Sequence, residues 1–188
     1  MKGSSSSFGL RIWILTLFAA AFIAGAAVIF GVASLAGAAV HAGCPFKLRV
    51  GLASAGLIAL ALVDVFAIRR DRYCPLGWSR QTPRTLVRQY GVAIGVAAWG
   101  LDTGLAITTF RVAALSWGAL VLTALGFASW LTGLAYGAGF VVPLFGSLLM
   151  GTDAARLEKL VRRRRLAQVV SVVALSTSGA FLLRLLVF

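Results

Sequence analysis

The chain has 188 residues, of which 60% are hydrophobic and 12% charged, and its formal net charge is +13. A soluble domain usually has about 25% charged residues, so the composition argues against a soluble globular domain. The long apolar runs do not alternate apolar and polar residues as the strands of a membrane β-barrel do. They are long enough for spanning helices of roughly 20 residues, and an all-α membrane protein is therefore predicted.

Six apolar segments predict one polytopic helical domain over residues 1–188, with five or six transmembrane helices. A flexible cytoplasmic lead-in is expected at residues 1–10. The first apolar segment exceeds one bilayer crossing, so its helix is either tilted or broken near its glycines. The predicted spans are residues 11–40, 48–68, 90–110, 113–130, 131–150 and 166–188.

Two basic stretches, residues 69–89 and 151–165, are predicted to be loops, and residues 156–165 to form a short amphipathic helix at the membrane surface. The positive-inside rule assigns both to the cytoplasm and accounts for the net charge without nucleic acid. Three crossings between them would put them on opposite sides. Either residues 131–150 are re-entrant, or all six segments cross and the rule is violated. Anionic lipid head groups are the expected partner of the basic patch Arg162, Arg163, Arg164 and Arg165.

Glycines at four-residue spacing predict close helix packing, because small residues let two backbones approach. We expect these faces to pack inside the molecule rather than to form a homodimer seam. The glycines concerned are Gly91, Gly95, Gly100, Gly104, Gly133 and Gly137.

Two carboxylates lie inside predicted spans, where a charge is costly and usually functional. Asp102 lies near the middle of the third span beside Thr103, and it is the main candidate for a proton relay or a cation site. The alternative for Asp102 is a neutral acid that only bonds a neighbouring helix. Asp64 lies near the basic end of the second span, where pairing with Arg69 or Arg70 is expected instead.

The two cysteines, Cys44 and Cys74, each precede a proline. They flank the second span, which would hold them about 30 Å apart by helix rise, too far for a disulfide. Two reduced thiols are therefore favoured over a redox pair. The single histidine, His41, has no partner at metal-ligand spacing, so we expect no metal site, no cofactor and no catalytic residues.

The segments Arg80–Arg84, Trp99–Leu105, Thr108–Arg111 and Gly133–Gly137 together resemble small bacterial membrane proteins distantly similar to the transmembrane region of cytochrome-c-biogenesis and disulfide-reductase proteins (the CcdA/DsbD type). The resemblance implies about six helices in inverted repeats, with broken helices around redox cysteines. That family has one redox cysteine in the first helix of each half. Cys44 and Cys74 both lie in the first half of this chain, so the redox pair is not matched.

The leading expectation is a multi-pass protein of the bacterial inner (plasma) membrane, transporter-like or accessory, proton-coupled through an intramembrane aspartate. It would carry no enzyme chemistry of its own and would work as a homo-oligomer or with a partner membrane subunit. Two alternatives stay open. One is transmembrane thiol–disulfide electron transfer through Cys44 and Cys74, and the other is a structural subunit of a membrane complex.

Overall fold

The computed structural model describes residues 4–76, 85–106, 113–149 and 154–187, and the regular elements in this part of the chain are six α-helices. Three of them contain stretches long and apolar enough to cross a membrane, Ile12–Gly43, Phe46–Arg69 and Arg164–Leu186. The all-helical prediction is confirmed for these residues. The helices are α1 (Ser4–Gly43), α2 (Phe46–Arg69), α3 (Thr85–Gly104), α4 (Leu115–Ala124), α5 (Leu131–Leu149) and α6 (Ala154–Val187).

Helices α1 and α6 are continuous over 40 and 34 residues. Residues 4–10 are therefore helical rather than a flexible lead-in. Residues 156–165 are helical as predicted, but with residues 154 and 155 they begin α6 instead of forming a separate short helix within a loop. Residues 85–89, also expected in a loop, are the first turn of α3. For residues 4–10 and 154–165 the adjoining helix already meets the cost of nucleation, and extension adds one hydrogen bond per residue fixed.

Helix α3 runs parallel to the first part of α1. A Cβ atom on Gly100 would lie 2.6 Å from the Phe18 carbonyl oxygen, and one on Gly104 would lie 2.2 Å from the Phe22 carbonyl oxygen. Only glycine lets the two backbones come this close. Before this contact α3 bends sharply at Gly91, where φ is +82°. The predicted helix 90–110 is thus bent near its start and ends at Gly104.

Helix α5 runs antiparallel to α1. A Cβ atom on Gly133 would lie 2.8 Å from the Ala26 carbonyl oxygen, and Gly137 packs further back along α1 against Ile23. The α5 helix passes Gly139 and Pro143 without a break. Helix α5 is therefore continuous over its 19 residues.

Helix α4 continues along α1 in the same direction as α3. Leu120 packs near Phe30, and the Thr123 carbonyl oxygen lies 2.2 Å from where a Cβ atom on Gly37 would be. With 10 residues, α4 is only about 15 Å long. The predicted full-length helix 113–130 is therefore wrong.

The reason for the early end of α4 is a glycine turn. Gly126 has φ +77° and donates its N–H to the Thr123 carbonyl at 3.1 Å, while Phe127 donates to the Leu122 carbonyl at 2.9 Å. These are the two hydrogen bonds of a Schellman motif, which favours glycine at its left-handed position.

Helices α2 and α6 form an antiparallel pair. Ser171 lies beside Asp64, Leu175 beside Leu57, and Gly179 close to the Ser54 carbonyl. The end of α2 and the start of the apolar part of α6 therefore lie together. At this end Asp71, from the first basic stretch, contacts Arg164 and Arg165 from the second.

Candidate functional site

The carboxylate of Asp64 is the centre of a buried polar cluster between α2, α4 and α6. The side chain is 0% exposed. Both of its oxygens accept from the Ala114 backbone N–H, at 3.0 and 2.9 Å, and the Ser171 hydroxyl donates to one of them at 2.6 Å. The predicted pairing of Asp64 with Arg69 or Arg70 is wrong, because the carboxylate turns inward toward these donors.

Cys74 completes the cluster from the segment that follows α2. Its buried thiol hydrogen-bonds to the Asp64 carboxylate. Burial, reinforced by the charge of Asp64, raises the pKa of Cys74. A thiol in this setting stays protonated and unreactive. Its role is that of a weak hydrogen-bond donor.

The same helix, α2, also reaches the opposite end of α4. Arg49 is 5% exposed, and its Nη1 donates to the Leu125 carbonyl at 3.2 Å. The guanidinium lies 5.8 Å from the ring centre of Phe46 and 5.4 Å from that of Phe127. Its Nε has no acceptor among the described residues.

Helix α4 is thus flanked by opposite charges supplied by α2. Asp64 meets the N-terminus of α4, where the helix dipole is positive, and Arg49 meets the C-terminus, where it is negative. The two residues are 15 positions apart on α2, about 22 Å by helix rise. This distance along α2 is close to the length of α4 together with the turns at its two ends. The arrangement fixes both the position and the direction of this short helix.

One face of α6 carries polar groups at helical spacing toward α2. Arg164 pairs with Asp71, the Gln168 amide donates to the Arg72 carbonyl at 2.9 Å, and Ser171 donates to Asp64. Gln168 and Ser171 are both almost fully buried. This polar face connects the exposed end of the α2–α6 pair to the buried carboxylate.

Asp71 lies at the exposed end of that face. It accepts from Arg164 and, at 3.2 Å, from Arg165. The hydrogen bond from Arg165 and the charge of Arg164 lower the pKa of Asp71. This carboxylate therefore stays ionised near neutral pH, unlike a site meant to exchange protons there.

The structure places the other predicted residues away from the Asp64 cluster. Asp102 and Thr103 are half-buried on α3, and the Thr103 hydroxyl donates to the Trp99 carbonyl at 2.7 Å. Cys44 is a free thiol just before α2, whereas Cys74 follows that helix. Because Cys74 contacts Asp64, the part of α2 between Phe46 and Asp64 holds the two thiols about 27 Å apart by helix rise. No disulfide joins them.

The basic patch, a metal site and the glycine contact at Gly95 are further features that the sequence raises, and none of them adds a described residue to the Asp64 cluster. The side chains of Arg162 and Arg163 lie outside the described residues. No group of three or more His, Cys, Asp or Glu able to hold a metal ion is found in the part of the chain that the structure describes. A Cβ atom on Gly95 would meet Val87, which belongs to the other arm of the α3 bend.

Sequence reasoning missed Arg49, Gln168 and Ser171. The polar face of α6 has a readable signal, because Arg164, Gln168 and Ser171 follow one another at spacings of four and three. Arg49 gives no comparable signal. An arginine near a helix start usually extends to the membrane surface, and its burial depends on the distant turn at Gly126.

Comparison of the chain with protein-family models, with curated proteins and with solved structures finds no match to any of the three.

Proposed function

We propose that the chain is an integral membrane protein of the transporter-like kind that binds and releases a proton at Asp64. The observation that carries the proposal is a fully buried carboxylate, surrounded by hydrogen-bond donors, on an apolar helix long enough to span. No ion pair to Asp64 occurs among the described side chains. Ionisable groups in such positions typically serve proton or ion pathways.

The proposed topology has five crossings, of which the third is broken. Helices α3 and α4 follow one another along α1 in the same direction, so together they form one crossing with its break between Gly104 and Leu115. Helix α5 returns antiparallel to α1. Two crossings then separate the basic stretches, which agrees with the contact of Asp71 with Arg164 and with the positive-inside rule.

Asp64 lies at this break, beside the N-terminus of the second half-helix. Transporters commonly bind ions and substrates where a spanning helix is interrupted, because half-helix ends offer unpaired backbone groups. Here the carboxylate accepts from the Ala114 N–H at the start of α4. The charge state of Asp64 therefore acts directly on the position of α4.

Proton binding would change the hydrogen bonds of the cluster. All three neighbours donate to Asp64, but a protonated carboxyl group must itself donate one hydrogen bond. The Ser171 hydroxyl can turn and accept it, whereas the Ala114 N–H can only donate. Protonation thus weakens the contact with α4 and leaves the contact with α6. This difference couples the proton to movement of α4 against the α2–α6 pair.

The test is proton uptake into proteoliposomes that contain a pH-sensitive dye, driven by an inside-negative potassium diffusion potential. We expect uptake by the wild type, loss of uptake in Asp64→Asn, and retained uptake in Asp102→Asn. Loss in Asp102→Asn with retention in Asp64→Asn would assign the proton site to α3. Uptake equal to that of empty liposomes in the wild type would contradict the proposal.

Ser171→Ala keeps the test valid if Asp64→Asn fails to fold. It preserves the carboxylate and removes the neighbour that can accept the proton's hydrogen bond. We expect slower uptake with a shifted pH dependence in this variant. Infrared spectra recorded over a pH series then report the carboxyl stretch of Asp64 directly, with Asp64→Asn identifying the band.

A further inference from the structure

We propose that the exposed end of the α2–α6 pair is a binding site for the phosphate head group of an anionic phospholipid. The fold brings together two basic stretches that are about 90 residues apart in the chain. The resulting surface, here called the arginine patch, holds five arginines and one aspartate. Its members are Arg69, Arg70, Arg72, Arg164, Arg165 and Asp71.

The arginine patch is exposed, and its five arginines outnumber its one acidic residue. Arg69, Arg70 and Arg72 are exposed, and the side chain of Arg165 is 64% exposed. Asp71 can neutralise only one of the five charges, which leaves a net charge of four among these six residues. Phosphate oxygens are suitable acceptors, because guanidinium groups bind them in a bidentate manner.

The position of the patch favours a lipid over a soluble partner. Leu62 and Phe66 of α2 and Leu166 and Val169 of α6 are exposed within about two helical turns of the arginines. When the two helices are embedded in a membrane, these exposed apolar side chains contact the acyl chains of the lipids. Tyr73, half exposed under the guanidinium of Arg164, adds an aromatic residue of the kind enriched at the bilayer interface.

A lipid phosphate would compete with Asp71 for the same guanidinium groups. The phosphate and the Asp71 carboxylate cannot bind the same edge of the Arg165 guanidinium at the same time. Removal of Asp71 should therefore strengthen lipid binding. Removal of an arginine should weaken it. These opposite signs separate a lipid site from a purely structural ion pair, in which both changes would act in the same direction.

The inference requires that α2 and α6 are embedded in a membrane, but it does not require proton binding at Asp64. The experiment therefore measures lipid retention and no proton movement. The purified protein is exchanged from nanodiscs of mixed phosphatidylglycerol and phosphatidylcholine into detergent, and the retained lipids are counted by native mass spectrometry.

We expect the wild type to retain phosphatidylglycerol in preference to phosphatidylcholine. A contribution of about 1 kcal/mol per arginine near an anionic surface corresponds to about a fivefold loss of preference in Arg70→Gln or Arg165→Gln. Asp71→Asn should increase the preference. Lys47→Gln, which removes a charge at the opposite end of α2, is the matched control and should leave it unchanged.

Equal retention of the two lipids by the wild type would overturn the inference, and so would a fall in preference in Asp71→Asn. An equal loss in Lys47→Gln would show that total charge rather than the arginine patch attracts the lipid, which also overturns it. Thermal unfolding of each variant shows that the protein is folded when its lipids are counted.

Discussion

The helices around α1 and the helices around α2 are held together in different ways. Where α1 meets α3 and α5, the contacts are glycine backbones and aromatic rings, such as Phe22 stacked on Phe140 at 4.4 Å. Where α2 meets α4 and α6, a carboxylate, an arginine and a serine are buried. Close packing of small residues needs no titratable group and holds one geometry. The polar contacts depend on charge, which is why the proton is proposed to bind on the α2 side.

The largest loss of stability is expected from a substitution in the glycine contact between α1 and α3. Gly104→Leu places a side chain where even a Cβ atom would lie 2.2 Å from the Phe22 carbonyl oxygen. The two backbones must separate, and we expect a loss of about 3 kcal/mol in the free energy of unfolding. Denaturant titration in mixed micelles measures it.

Gly31→Ala is the matched control for this contact, because no atom lies within 4 Å of its Cβ position. It should be neutral or slightly stabilising, since alanine favours the helix. A similar loss in both variants would show that the loss does not depend on the close approach of α1 and α3, and the specific role of this contact would be rejected.

On the polar side, Asp64→Ala should cost about 2 kcal/mol, because the buried Ala114 N–H loses its acceptor. Unfolding in mixed micelles gives the value. Asp102→Ala, which changes a half-buried aspartate on α3, is the control and should cost less. If the two variants lose the same stability, burial of Asp64 is not what distinguishes the α2 side from the α1 side.

Much of the helical architecture can be predicted from the sequence, but the choice between the two aspartates cannot. The sequence favours Asp102, because it lies near the middle of an apolar run. The structure instead buries Asp64, whose hydroxyl partner Ser171 lies 107 positions away. Position within a run measures distance from the ends of a helix, whereas burial depends on which other helices pack there. Single-sequence patterns do not contain that information.

The short helix α4 shows the opposite case, in which the sequence did carry a usable signal. Gly126 directly follows Leu125, the C-cap residue of α4, and glycine at that position commonly ends a helix. Apolar residues on both sides of Gly126 hide this signal, because a hydropathy average over the whole segment does not resolve a single turn. Local turn chemistry thus locates a break that hydropathy misses.

A smaller effect is expected at the other end of α4. Arg49→Met removes the hydrogen bond to the Leu125 carbonyl and the positive charge at the helix C-terminus. Together these changes should cost about 1 kcal/mol. Lys47→Met, an exposed position two residues away, provides the control and should be close to neutral in the same unfolding measurement. An Arg49→Met variant as stable as the wild type would mean that α4 is positioned by Asp64 and packing alone.

The smallest effect is the pH dependence of the Asp71 contact at the exposed end of the α2–α6 pair. Because Arg165 and Arg164 lower the pKa of Asp71 in the folded protein, its contribution to stability is present above the unfolded value of 3.8. It is lost as the pH falls through the lower folded value. Thermal unfolding over an acidic pH series should therefore show a small decrease that Asp71→Asn lacks. The effect is small because Asp71 is exposed and solvent screens the pair. An identical acid profile in wild type and Asp71→Asn would show that this ion pair adds nothing to the α2–α6 contact, which would then depend on its buried polar groups.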